Sequence, residues 1–391
     1  MHHDAVIIGS GPSGIALGIM LQLKGRSVVI VDKCIFPRDK LCGGLLTPKS
    51  QKFLESIIGG TDVFFNDIRG KRIDRINVVT NNNTVQYKKR GNPFIIVNRK
   101  TFDNALVCYY KKIGGIIHEG CRVNKIDYAE NKLELSDGRI LSYRFLIGAD
   151  GVYSSVRKYV DPHYKPDGLC FENYVNNEAL ALDKDAVYLF YNSYKETLIN
   201  CLCGRIAALR GARNLNISLY MPRFLRSVRA AQYPAQTITQ GFPKYRYGWA
   251  FPRENDFAVG FGGSINQSFP DIKKLILQFN SINDFLGIES KNKSMYLPFG
   301  EYVRRPIKGN VLLIGDAAGL ADPISGEGIY FAFLSAKFAY RHVMAKNPGR
   351  AFICRMKNIH FRITVLCFLR RFFYCITSLR NIYFSIIWKK I

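Results

Sequence analysis

The spacing of apolar positions changes sharply along the chain. "DAVIIG" is a short unbroken apolar run, which predicts a buried strand. The run stops at glycines, and "GIALGIMLQLKG" continues with apolar residues at helical spacing. "SVVIVD" predicts a second buried strand, so the chain opens with a β-α-β unit ending in an acid. Residues 76–97 alternate instead, around an Asn-rich turn, and predict an antiparallel ribbon. "NRKTFDNALVCYYKKIGG" predicts an amphipathic helix stopped at Gly114 and Gly115. "KLELSDGRILSYRFLIGAD" predicts a hairpin turning at Asp137 and Gly138, followed by a buried strand.

From about residue 160 to 300 the pattern is different. Aromatic and β-branched residues alternate in "AVYLFYN", "TLINCLCGRIAAL" and "LNISLYM", which predicts a mostly antiparallel sheet. "NVLLIGDAAG" returns to buried-strand character, and "GEGIYFAFLSAKFAYRHV" predicts a helix. The expected class is therefore α/β in two domains. Residues 1–160 and 301–345 form one discontinuous, Rossmann-like dinucleotide-binding domain. Residues 161–300 form an antiparallel-sheet substrate domain, and 346–391 a basic, aromatic helical tail.

Charge changes the picture in one respect. Lys and Arg number 56 against 30 Asp and Glu, a net +26, which favours partners carrying negative charge. No acid follows Glu327, and the tail interleaves cations with Phe, Tyr, Trp and Ile. Its apolar segments between charges are only seven to eight residues long, too short to span a bilayer. They suit a helix lying in an anionic membrane interface. No nucleic-acid-binding module is recognisable, and nucleic acid is not an expected partner. The ten cysteines, with no signal-peptide pattern, read as reduced thiols. Cys201 and Cys203 lack companion ligands at zinc spacing, and no metal is expected. The expected location is cytoplasmic, with peripheral contact at the inner face of a membrane.

The chemistry sits in separated glycine-rich segments. Gly9, Gly11 and Gly14 form GxGxxG between strand and helix, where a tight turn, close backbone approach and a helix N-terminus receive a pyrophosphate. Asp32 ends the second strand, where a carboxylate accepts from ribose hydroxyls. "GADGVYSSVR" carries Asp150, and "GDAAGLADPISGEGI" places Asp316 straight after a buried strand. A nicotinamide dinucleotide needs no such additional sites. Three segments converging on one longer ligand fit FAD.

With "FPRDKLCGGLLTP", "VNRKTFDNAL" and "YGWAFP" added to these segments, the chain resembles flavoproteins of the p-hydroxybenzoate hydroxylase fold. Among them it is similar to the geranylgeranyl reductase family, over roughly residues 4–335. The resemblance implies FAD with Ser13 and its neighbouring glycines at the pyrophosphate and Asp32 at the adenosine ribose. It implies Arg99 at the phosphate or ribityl region, Val123 meeting adenine through its backbone, and Asp316 holding the ribityl chain. Gly328 and Ile329 would lie beside the flavin ring. Cys42, Gly43 and Gly44 would border that ring, the glycines leaving room for close stacking and Cys42 serving as candidate catalytic thiol. Tyr247, Trp249 and Phe251 would line the cavity for an isoprenoid or similar lipid. Two positions depart from the family pattern: Lys244 stands where a proline is usual, and Leu45 where the glycine run usually continues. The implied activity is reduction of carbon–carbon double bonds, with NAD(P)H or another donor as reductant. Two alternatives are a monooxygenase of an apolar substrate and a membrane-associated flavoprotein with a binding or regulatory role.

Overall fold

The computed structural model describes residues 2–79, 84–89, 91–176, 180, 182–191, 246–265, 293–346 and 350–390. The Asn-rich turn at 80–83, the strands expected within 197–221, Cys201, Cys203 and Lys244 lie outside the described residues. The chain divides into two units.

The first unit comprises Met1–Arg72, Asn92–Asp167 and Tyr296–Cys375. In chain order its main elements are β1 (His2–Ile8), α1 (Pro12–Gln22), β2 (Val28–Val31), α2 (Pro48–Ile58), α3 (Arg99–Lys112), β3 (Ile116–His118), β4 (Ile140–Gly148), β5 (Val311–Leu313), α4 (Ile329–Met344) and α5 (Ala351–Cys375). The strands lie in the order β5-β4-β1-β2-β3, all parallel. Their unbroken apolar runs follow from burial on both faces, since helices cover a parallel sheet on each side. Ala5, Ile7, Ile30, Leu146 and Leu312 are fully buried in one core with Ile15, Leu106 and Phe333 from the helices. The hairpin expected at Asp137 and Gly138 is present: Gly138 has φ +82°, and Lys132–Leu135 pairs antiparallel with β4.

The helices start where their caps dictate. Thr47 accepts from Ser50 N ahead of α2, with Pro48 in the first turn. Asn98 accepts from Lys100 N ahead of α3. At the start of α1, Gly11 offers no side-chain cap and no acid stands in the first turn. The first amides of α1 are therefore left for something other than a capping side chain.

The second unit comprises Ile73–Gly91, Gly168–Met295 and Ile376–Ile391. Its sheet runs Lys293–Leu297, Gly168–Asn176, Asp256–Ser264, Arg246–Pro252, Ala186–Phe190, Arg75–Val79, Thr84–Lys89, Trp388–Lys390. Arg75–Val79 runs parallel to Ala186–Phe190 and antiparallel to Thr84–Lys89. The division differs from the expected one in two places. The ribbon joins the second unit, because its parallel pairing with Ala186–Phe190 is a contact between segments far apart in sequence. The tail also splits. Phe352, Met356, Ile359 and Ile363 put one face of α5 into the first core, while Ile376–Ile391 goes with the second sheet. Among the described residues no helix is long and apolar enough to cross a membrane.

Candidate functional site

The loop between β1 and α1 is shaped by two different kinds of glycine. Gly9 has φ +100°, and a Cβ there would stand 2.4 Å from the Ala149 carbonyl oxygen. A Cβ on Gly14 would stand 1.9 Å from the Gly9 carbonyl oxygen. Both are required by the protein's own packing. Gly11 is different: its φ is an ordinary −64°, and the nearest atom to its Cβ position is Arg38 Nη2 at 4.0 Å. Nothing in the polypeptide excludes a side chain at Gly11, so the open face there suits close approach of a ligand to the uncapped amides of α1.

Asp32 follows β2 and is buried. Its Oδ2 accepts from Ser10 N at 2.8 Å and Ser10 Oγ at 2.7 Å, and its Oδ1 accepts from Cys34 N at 2.9 Å. These bonds fill three of about four acceptor positions on a carboxylate, leaving room for about one ligand hydroxyl. Cys121 N bonds to Asp32 O at 3.0 Å, which brings the strand beginning at Val123 alongside the same point.

The segments after β4 and β5 meet the β1 loop. A Cβ on Gly315, which has φ +59°, would stand 2.7 Å from Ser13 Oγ. Arg157 ties the two segments together: Nη1 donates to Asp316 O at 3.4 Å and Ala317 O at 3.3 Å, and Nη2 to Val152 O at 2.5 Å. Burial lowers the pKa of Arg157, opposed by Tyr164 and nearby carboxylates. Asp150 Oδ2 accepts from Ser155 N and Oγ at 2.7 and 3.0 Å, whereas its buried Oδ1 has no hydrogen-bond partner among the described residues. The Cβ position of Gly151 has no atom within 4 Å. An orphaned acceptor beside open space calls for a donor that is not polypeptide.

The stretch "FPRDKLCGG" lies against the start of α3. Arg99, 5% exposed, makes two 2.8 Å hydrogen bonds to Asp103. Arg38 Nη1 stands 3.0 Å from Asp103 Oδ2, close enough for an ion pair though not aligned as a hydrogen bond. Burial opposes the charge on Arg99, but Asp103 and Cys42 outweigh it and raise its pKa. Lys40 is pushed down by burial, assisted by Arg99 and Arg38 and opposed by Asp316 and Cys42. Lys40 thus feels the charges of Arg99 and Asp316, which come from distant segments of the chain.

Gly44, expected to border the flavin ring, is also required by the protein's own packing. It has φ +75°, and a Cβ would stand 1.9 Å from the Val97 carbonyl oxygen. The excluding group is the protein's own backbone, to which Gly44 is tied by the 3.0 Å bond from Val97 N to Gly44 O.

At the other end of the site, Gly328 and Ile329 open α4. A Cβ on Gly328 would lie 3.6 Å from Asp316 Oδ1, an ordinary contact. The preceding Glu327 is a residue the sequence reading passed over. Burial raises its pKa, and a hydrogen bond with Thr47 opposes the rise. Arg38 and Asp103 were passed over as well. The available signal was the i, i+4 spacing of Arg99 and Asp103.

In the second unit, Tyr247, Trp249 and Phe251 share one face of a strand. Adjacent ring centroids are 5.6 and 6.3 Å apart. Gly260 opposes Trp249 and leaves room for the indole, whose Nε1 donates to buried Glu172 at 3.0 Å.

The comparisons agree with this geometry. Residues 2–185 match the FAD binding domain model. The chain is 25% identical over 365 residues to conditioned medium factor receptor 1 of Dictyostelium discoideum, covering 86% of this chain and 62% of that one. It is 24% identical to menaquinone reductase of Mycobacterium tuberculosis, with 89% and 78% covered. It is 22% identical to digeranylgeranylglycerophospholipid reductase of Methanococcus aeolicus, with 91% and 81% covered. In fold it is similar to a geranylgeranyl bacteriochlorophyll reductase-like protein of Thermoplasma acidophilum, at TM-score 0.66 and 16% identity, covering 93% of this chain and 86% of that one. It is also similar to PqsL, a probable FAD-dependent monooxygenase of Pseudomonas aeruginosa, at TM-score 0.64 and 15% identity, covering 98% and 100%. The fold is that of p-hydroxybenzoate hydroxylase-like flavoproteins, as expected.

Proposed function

We propose that this chain, whose residues 2–185 match an FAD binding domain, is an FAD-dependent oxidoreductase that reduces carbon–carbon double bonds in an isoprenoid-bearing lipid. The observation that carries this reading is the packing of the Cys42 stretch against the start of α3, tied by the 3.0 Å bond from Val97 N to Gly44 O, with buried Arg99 beside it and Lys40 two residues from the thiol. Two of the named relatives are reductases, one of a digeranylgeranyl lipid, which supports it further.

FAD, when bound and reduced, supplies the hydride equivalent for such a reaction. The open face at Gly11 and the first amides of α1 receive its pyrophosphate. Asp32 takes a ribose hydroxyl, and Asp150 Oδ1 and Asp316 take polar groups farther along. An isolated alkene also needs a proton delivered as the hydride arrives. Lys40 is suited to that task, because burial and the neighbouring guanidinium groups make its ammonium a better acid. Cys42, which interacts with both Lys40 and Arg99, would relay that proton toward the substrate. Tyr247, Trp249 and Phe251 offer apolar surface for an isoprenoid chain.

The test is anaerobic incubation of the purified, FAD-loaded and chemically reduced protein with a geranylgeranyl lipid, read by mass spectrometry. Products heavier by pairs of hydrogens are expected, and Lys40→Met or Cys42→Ala should slow their formation by about a hundredfold. A product that gains an oxygen atom on admission of air, with no added hydrogen, would assign the chain to monooxygenases instead.

A further inference from the structure

Helix α5 is apolar on both of its faces, yet among the described residues only one is covered. Phe352, Met356, Ile359 and Ile363 are buried in the first core. On the opposite side Phe361, Val365, Phe368, Leu369 and Phe372 are exposed, Phe361 by 72% and Phe368 by 69%. Their spacing of i, i+4, i+7, i+8 and i+11 puts all five in one stripe. Exposed Lys357 continues the same stripe one turn earlier, and exposed Arg350 precedes the helix. A second apolar face on a single surface helix is a continuous patch that water leaves unsatisfied.

We propose that this outward face of α5 docks on an anionic lipid bilayer, with its aromatic stripe in the acyl–headgroup boundary and its cationic end at the headgroups. Three observations commit the face to lipid. No Asp or Glu occurs after Glu327, so no carboxylate in this segment repels anionic headgroups. The net charge of +26 draws the chain to a negative surface and opposes docking of a second copy. The centre of the stripe presents Phe, Val and Leu, which a nucleic-acid backbone cannot use. The helix lies on the surface and does not cross, since it is not apolar enough to span. The inference is independent of which substrate the site takes.

The full-length, FAD-loaded protein should float with vesicles of three parts phosphatidylcholine to one part phosphatidylglycerol, and should not float with phosphatidylcholine alone. The double variant Phe361→Ser with Phe368→Ser changes two exposed side chains and should keep its FAD content and melting temperature. Its partition into the anionic vesicles should fall by about tenfold or more. Lys357→Gln with Arg350→Gln should weaken binding about threefold to tenfold and reduce its salt sensitivity. Equal flotation with neutral vesicles, or unchanged binding by the double Ser variant, overturns the proposal. So does a concentration-dependent dimer that the same Ser substitutions abolish.

Discussion

At the scale of single residues, the glycines separate what the fold needs from what a ligand needs. Gly44 has φ +75° and a carbonyl oxygen 1.9 Å from any Cβ. Gly44→Ala should cost about 3 kcal/mol or more, seen as a lower denaturant midpoint with an unchanged slope. Gly11 has ordinary φ and nothing closer than 4.0 Å. Gly11→Ala should leave the apoprotein's stability within about 0.5 kcal/mol, yet weaken FAD binding by about tenfold or more. If both substitutions damaged the apoprotein equally, the open face at Gly11 would not be a ligand surface. The sequence made all these glycines look alike, because spacing tells where chain reversal and close approach occur and not what does the approaching. Arg99 stands out in the sequence as a candidate through the resemblance. Its partner Asp103 does not, because a polar residue on an amphipathic helix reads as part of a solvated face.

At the scale of elements, the strands and helices of the first unit were readable because each is a local pattern: a short apolar run, a capping residue, a glycine stop. The ribbon's allegiance was not readable, since Arg75–Val79 finds its parallel neighbour in Ala186–Phe190. Pattern predicts a strand and leaves its distant partner open. Helix α5 adds a chemical sensitivity of its own. His360 is 7% exposed and stacks on Tyr302 with ring centroids 4.3 Å apart. Burial lowers its pKa to about 4, and its Nε2 has no hydrogen-bond partner among the described residues. A histidine whose folded value lies below its unfolded value of 6.5 binds fewer protons in the native state than in the unfolded one. Stability is therefore full above 6.5 and is lost as pH falls toward about 4, by at most about 3 kcal/mol. His342 and His3 are shifted in the same direction by burial. The difference between wild type and His360→Phe isolates the single contribution. Urea midpoints of the two should diverge on acidification, the Phe variant holding up better. Parallel pH profiles would show that His360 stays solvated.

At the scale of the whole molecule, the excess of 26 positive charges works against compaction. Like-charge repulsion should be screened as salt rises. Raising NaCl from about 0.02 M to about 0.3 M should increase the melting temperature by several degrees, while the same salt weakens contact with anionic vesicles. A melting temperature that fell with salt would mean that local ion pairs, such as Arg38 and Arg99 with Asp103, dominate over the net charge.

The order of strands in the first sheet also bears on how the protein is made. β1 and β2 emerge from the ribosome almost at once, but β4 comes much later, and its outer neighbour β5 begins only at Val311. Until then a nascent chain holds four of the five parallel strands, with the β4 edge still lacking β5, through the synthesis of nearly the whole second unit. Chaperone occupancy on translating ribosomes should therefore persist until the segment bearing β5 has cleared the exit tunnel.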